Sequence, residues 1–444
     1  MLEPQSTVLF ILLILGFAGM IWWIVRSRRI VLRVLAAVIA FVLAVQVGIL
    51  GVNRYFDYYP TWGAAIADLT NGSGVAQVSD ARLVNGSYGK AIVPSPVDKE
   101  LAEQQGDIVQ VDLTGKLSHI SRFGLVYLPP QYFQAAYKHY RFPVIELIHG
   151  QPGVPQDWID VAGVTATLDN LVLTGQARPA VLVMPDANGG QRISLQCLNV
   201  HNGPRDMTYL GVDVPRDIEA MLGSRIQPIG PAWGIAGYSE GGYCAANMAL
   251  HLRRSFGFAG VLSGYFAPLP TDLLASGQSV NPFAGKQQRA ANSPLAEVRA
   301  LRPGASIPQF WVGAGNSDRQ DEQAADYFMQ LLSLYQVDAP VHLAPGGHTM
   351  AVWRAQIPAM LEWMTYNLTQ TAVKLEHAEA VAKRDHLRCH KPAPVNASLL
   401  ISQSTNHDHK AAGPASRTPG RSGCVPLQAP GHQKRAPRHR KYRV

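Results

Sequence analysis

Residues 237–245 read GYSEGGYCA. Within them Gly237-x-Ser239-x-Gly241 has the spacing of a nucleophile elbow, a sharp strand-to-helix turn that presents a serine hydroxyl. The same residues also fit an ordinary glycine-rich turn, because Ser and Gly are both common in turns. The surroundings decide between the two. PAWGIAG (231–237) is an apolar run with the character of a buried strand, and residues 242–254 carry an amphipathic helical pattern.

Outward from the elbow the same rhythm repeats. DIVQVDL (107–113), GLVYLPP (124–130), FPVIELIHG (142–150) and AVLVMPDANG (180–189) read as strands before it. GVLSGYF (260–266), IPQFWVGAG (307–315) and PVHLAPGGH (340–348) read as strands after it. DIVQVDL alternates and is expected at a sheet edge, whereas FPVIELI is the apolar run of a strand buried on both faces. Amphipathic stretches at 212–222 and 322–335 lie between strands, and one at 351–368 follows the last of them. Strands alternating with helices predict an α/β fold, with a mainly parallel sheet, helices on both faces and right-handed crossovers. Ligands of such sheets bind at the carboxyl ends of the strands.

Chemistry-bearing residues sit at those ends. His149-Gly150-Gln151-Pro152-Gly153 follow FPVIELI, and Ser239 follows the elbow strand. Asp318 and Asp321 follow QFWVGAG, and His348 follows VHLAPGG. The chain order Ser, Asp, His is that of the α/β-hydrolase arrangement. A serine hydroxyl is a weak nucleophile until a base takes its proton, and His348 is the base expected. A carboxylate fixes the imidazole tautomer and stabilises the imidazolium. Asp318 is favoured for that place because it lies close to the strand end. Asp321 reads as the start of the next helix, with a capping role. The oxyanion donors expected are the backbone N–H groups of Glu240 and Gln151, since Pro152 has none. His149 reads as a residue that shapes the oxyanion loop. This chemistry calls for no cofactor and no metal.

The ends of the chain differ from its middle. Residues 7–25, TVLFILLILGFAGMIWWIV, are uncharged. RSRR follows, and residues 30–52 are apolar except for Arg33 and Gln46. Each run is long enough to span a bilayer. Two spans are expected, against one span or a signal anchor, because the positive charge follows the first run and no small-residue cleavage site is evident. The basic loop Arg26, Arg28, Arg29 belongs in the cytoplasm by the positive-inside rule, which puts the large domain on the extracytoplasmic side of the membrane. Thiols oxidise there. Cys197 and Cys244 are then either a disulfide or two buried thiols; none of the four cysteines forms a C-x-x-C pair.

The net charge of +8 is a property of the tail. Residues 371–444 hold 14 Lys and Arg against 4 Asp and Glu, which leaves about −2 for everything before them. A nucleic-acid partner is therefore not implied. The tail is rich in Pro, Ser and His and is expected to be disordered. HQKRAPRHRKYRV (432–444) either meets an anionic lipid or envelope polymer or is solvated without a partner. The domain expectation is two transmembrane helices in 1–53, a juxtamembrane connector with a few strands in 54–105, a catalytic domain in 106–370 and the tail in 371–444.

GYSEGGYCA, YLGVDVPRDIEAML (209–222) and PGGHTMAVWRAQIPAML (345–361) together resemble the esterase D-like branch of the α/β hydrolases. That branch includes the antigen 85 mycolyltransferases and membrane-anchored actinobacterial esterases. YLPPQYF (127–133) and FPVIELIHGQPGVPQDWI (142–159) are similar to its opening strands. The resemblance covers roughly residues 106–368. It implies the roles given above for Ser239, His348, Glu240 and Gln151, and brings Cys197 near Cys244. The antigen 85 proteins use a glutamate as the acid and are secreted; this chain offers Asp318 or Asp321 and carries apolar N-terminal runs. General carboxylesterase chemistry, on an ester or lipid substrate, is accordingly expected ahead of acyl transfer to a sugar or lipid hydroxyl. A serine peptidase and a non-catalytic wall-binding protein on the same scaffold are the other readings weighed.

Overall fold

The chain's structure, a computed structural model, describes residues 2–56, 58–59, 61–63, 65–66, 82–84, 99–189, 194–269, 283, 285–302, 304–337 and 340–389. Among these, nine strands form one sheet: β1 (Arg82–Val84), β2 (Asp107–Thr114), β3 (Ser121–Leu128), β4 (Val144–Ile148), β5 (Val181–Pro185), β6 (Gly230–Tyr238), β7 (Phe256–Leu262), β8 (Gln309–Gly315) and β9 (His342–Ala344). Their order is β1-β2-β3-β5-β4-β6-β7-β8-β9. β3 runs antiparallel to β2 and β5, and every other pairing is parallel. This is the α/β-hydrolase fold that the strand rhythm predicts. One placement differs. β2 is not at the edge, because the three-residue β1 pairs outside it.

The main helices are α1 (Thr7–Arg26), α2 (Ile30–Phe56), α3 (Val164–Leu173), α4 (Val214–Leu222), α5 (Glu240–His251), α6 (Arg319–Ser333) and α7 (Met350–Cys389). α3–α7 cover both sheet faces, and alternate strand residues point into two separate cores. Ile218 of α4, Met248 of α5 and Phe328 of α6 pack with Val144, Val183 and Ile235. Leu168 of α3 and Met360 and Met364 of α7 pack with Ile145, Leu182 and Ala236 on the other face. β4 and β5 are buried along their whole lengths, as their apolar runs require. Glu146 is the exception in composition. It is fully buried in β4, its carboxyl oxygens have no hydrogen-bond partner among the described residues, and burial pushes its pKa well above the usual 4.5.

α1 and α2 are both long and apolar enough to cross a membrane. Ser6 caps α1 by accepting from the Leu9 N–H at 3.3 Å. Ala36 and Ala40 of α2 are buried, while most large apolar side chains of both helices are exposed. The ends remote from the connecting loop are tied together: Arg54 donates to the Gln5 carbonyl and to Thr7 Oγ1, and lies over the Phe10 ring.

The chain divides into two units, residues 1–374 and 375–444. Against the boundary expected at 371, α7 continues to Cys389. Its sequence from 370 to 389 is rich in Ala, Glu, Lys, Arg and Leu and free of Gly and Pro, which favours helix once started. The basic segment 432–444 and Cys424 lie outside the described residues.

Candidate active site

β6 ends at Tyr238 and α5 begins at Glu240, so Ser239 alone makes the turn. Its φ and ψ are +55° and −123°. A non-glycine residue there carries strain of about 1–3 kcal/mol, which the surroundings must hold in place. Three backbone hydrogen bonds do so: the Ser239 N–H donates to Leu262, and the Ser239 carbonyl accepts from Gly242 at 3.0 Å and Tyr243 at 3.2 Å. The flanking glycines are required by contact. A Cβ on Gly237 would lie 2.1 Å from the Gly241 carbonyl oxygen, and one on Gly241 would lie 2.1 Å from that of Ile148.

His348 reaches the elbow from the loop after β9. Its Nε2 lies 2.8 Å from Ser239 Oγ across 109 residues of sequence. Its Nδ1 faces two carboxylates, Asp321 Oδ2 at 2.8 Å and Asp318 Oδ2 at 3.1 Å. The two loops are knitted together by the Asn316 N–H to Ala344 and the Ser317 N–H to Gly346. The Trp353 ring stacks on Tyr238 at 4.7 Å and meets the imidazole edge-on at 5.1 Å, fixing its plane.

The structure brings both candidate acids to the histidine and exchanges their expected secondary roles. Asp318 is the N-cap of α6 and accepts from the Asp321 N–H at 3.4 Å. Asp321, one turn in, makes the shorter approach to Nδ1. Burial is the largest influence on His348 and opposes its charged form, yet Asp321 and then Asp318 outweigh it, and the pKa is raised above 6.5. Burial raises the Asp321 pKa, with His348 pulling it back down. The ligand-type atoms of Asp318, Asp321 and His348 lie within 4.8 Å of one another. Both carboxylates close on the imidazole itself, so the arrangement is a hydrogen-bonded relay from carboxylate to imidazole to hydroxyl.

Gln151 lies on the loop after β4. That loop rests against the elbow: a Cβ on Gly150 would come within 3.3 Å of Ser239 Cβ. The Gln151 side chain accepts from Asn188 Nδ2 at 2.5 Å. Behind it His149 is buried; its Nε2 accepts from the Ala187 N–H at 3.0 Å and its Nδ1 lies 2.8 Å from the Gly150 carbonyl. Those partners define the neutral Nδ1–H tautomer. Glu240 opens α5, where first-turn N–H groups point outward along the helix axis.

Two features escaped the sequence reading. The Glu240 carboxylate is buried and accepts from Ser194 Oγ and from the Gln196 N–H at 3.2 Å, which draws the 194–196 loop over the elbow. The next residue, Cys197, is joined to Cys244 of α5 in the disulfide that the sequence left open against two buried thiols, with Cα atoms 5.6 Å apart. Tyr58, just past α2, donates to Asp157 Oδ2 at 2.6 Å, and Asp157 also accepts from the Val154 N–H in the Gln151 loop. Partners 99 residues apart leave no mark in local periodicity.

The Esterase family model matches residues 121–364, from β3 into α7, and so includes Ser239, both aspartates and His348. The chain is 26% identical over 282 residues to an uncharacterized protein of Corynebacterium glutamicum. That match covers 61% of this chain and 63% of the relative's length. Among solved structures it is similar to a ferulic acid esterase, at 22% identity over 60% of this chain and 99% of that one, with a TM-score of 0.49. An S-formylglutathione hydrolase from Agrobacterium tumefaciens aligns at 17% identity over 63% of this chain and 100% of that one, with a TM-score of 0.47.

Proposed function

Since the chain belongs to the Esterase family, we propose that it is a membrane-anchored serine carboxylesterase whose triad is Ser239, His348 and the aspartate pair Asp321 and Asp318. The observation that carries this reading is the 2.8 Å approach of His348 Nε2 to Ser239 Oγ, with Asp321 at 2.8 Å from the other ring nitrogen. Ser239 Oγ attacks the ester carbonyl carbon while Nε2 takes its proton. The aspartates hold the imidazolium that forms. The carbonyl oxygen becomes an oxyanion, met by the N–H groups of Gln151 and Glu240. Collapse breaks the bond to the alcohol oxygen, which leaves with the proton from Nε2, and an acyl-Ser239 ester remains. Water, deprotonated by His348, attacks that ester and releases the acid and free Ser239.

α1 and α2 are the anchor, with the loop of Arg26, Arg28 and Arg29 in the cytoplasm and the sheet domain outside. The Cys197–Cys244 disulfide supports that side of the membrane, since such bonds persist in oxidising compartments. The test is hydrolysis of p-nitrophenyl butyrate by the full chain in detergent. The wild type turns it over and Ser239→Ala does not. A folded wild type without turnover contradicts the reading.

A further inference from the structure

The cavity in front of Ser239 is not walled by the sheet domain alone. It has a volume of about 990 Å³, at the upper end for small-molecule sites. The sheet domain contributes Gln151, Ser239, His348 and Trp353 to its lining, and α2 contributes Val45, Gly48, Ile49, Val52, Asn53 and Phe56. Those positions recur every three or four residues and so share one helix face. From Val45 to Phe56 the face extends about 16 Å along the axis.

Three observations indicate what this wall meets. Val45, Ile49, Val52 and Phe56 are exposed large apolar side chains on a helix of membrane-spanning length. The polar groups at its outer end are already engaged: Asn53 Oδ1 accepts from the Tyr59 N–H, Asn53 Nδ2 donates to the Tyr59 carbonyl, and Tyr58 donates to Asp157. They leave the groove apolar along its length and pin α2 against the Gln151 loop. Finally, a Cβ added at Gly48 would meet nothing within 4 Å. Glycine weakens a helix interior, and here it leaves a channel open in the wall.

We propose that this groove is an acyl-chain site, and that the substrate is a bilayer-resident long-chain ester. Its acyl chain lies along the 45–56 face of α2, and its carbonyl reaches Ser239 without the chain entering water. A long alkyl chain matches the site because its apolar surface gains from every contact along the wall, while only the reacting end needs hydrogen bonds. The inference rests on the esterase reading above and adds the substrate class to it.

The test compares p-nitrophenyl palmitate and p-nitrophenyl butyrate, each hydrolysed by the full chain in detergent micelles. The wild type is expected to favour the palmitate in kcat/KM. Gly48→Phe fills the open channel with an apolar ring, and the palmitate-to-butyrate ratio should fall by about tenfold or more. Gly19→Phe on α1, where an added Cβ also meets nothing within 4 Å and which lies outside the cavity, should keep the wild-type ratio. An unchanged ratio in Gly48→Phe, or an equal fall in Gly19→Phe, overturns the acyl-chain site while leaving the esterase intact. Loss of both esters in the wild type itself removes the esterase reading and this inference with it.

Discussion

Among the described residues, two histidines stand at strand ends beside aspartates, and of the two only His348 faces a serine. His149 follows β4, lies fully buried and has Asp186 at 3.9 Å; His348 follows β9, is half-buried and has Asp321 and Asp318 at Nδ1. The residue types and the fold position are alike. The difference lies in the second ring nitrogen. In His149 it accepts from the Ala187 backbone N–H, so the ring is a fixed strut between two loops. In His348 it meets Ser239 Oγ, a hydroxyl that can give up a proton. A His-Asp pair therefore becomes a base only where the far nitrogen faces a transferable proton and an opening to substrate.

The largest expected effect falls on the serine-facing ring. His348→Ala should lower ester turnover by about 10⁴-fold or more with the fold retained, as loss of a base from a triad does. A rate within tenfold of wild type would remove the distinction between the two histidines. Next come the acids. Asp321→Asn should lower kcat by about 10²-fold and Asp318→Asn by about tenfold, because each leaves the other carboxylate at Nδ1. The double substitution should approach the His348 loss. A larger effect of Asp318→Asn than of Asp321→Asn would invert the geometric order.

His149→Ala should instead act on stability. It removes a buried ring and leaves the Ala187 N–H without its acceptor, an effect of about 2–3 kcal/mol measured by thermal or denaturant unfolding. Ser239 should stay reactive in the molecules that remain folded. An unchanged melting temperature would show that the ring is not a strut.

The pH profile sharpens the comparison. His348 works as a base only when neutral, and its pKa is raised above 6.5. Thus kcat/KM should fall as pH drops through a value above 6.5. Asp321→Asn removes the strongest raising partner, so its acid limb should move to lower pH. A limb that stays put would mean that Asp321 does not govern the imidazole.

The smallest effect concerns a third titratable group, one with no hydrogen-bond partner among the described residues. Glu146 is neutral when folded, because burial raises its pKa, but ionises when unfolded above the usual 4.5. Its contribution is therefore lost as pH rises from about 4.5 toward its folded value. Glu146→Gln should flatten stability over that window. If the slope persists in the variant, other groups cause it.

The strands, the elbow and His348 could be read from the sequence because each is written locally, as an apolar run ending in polar or glycine residues. The choice of acid could not. Proximity to β8 pointed to Asp318, but the first turn of α6 carries Asp321 back over the same histidine and makes Asp318 its cap. The extension of α7 is written in the helix propensity of residues 371–389, but their polar composition masks it. β1 is too short to show a period. The α2 wall and the Tyr58–Asp157 bond join segments far apart in the chain, and only the folded arrangement brings them together.

The most direct test of the central claim is fluorophosphonate labelling of the full chain in detergent, with the adduct mapped by mass spectrometry. The account predicts one adduct, on Ser239, with fluoride displaced, present in wild type and absent in His348→Ala. An adduct that forms equally well without His348, or a folded wild type that takes none, would contradict it.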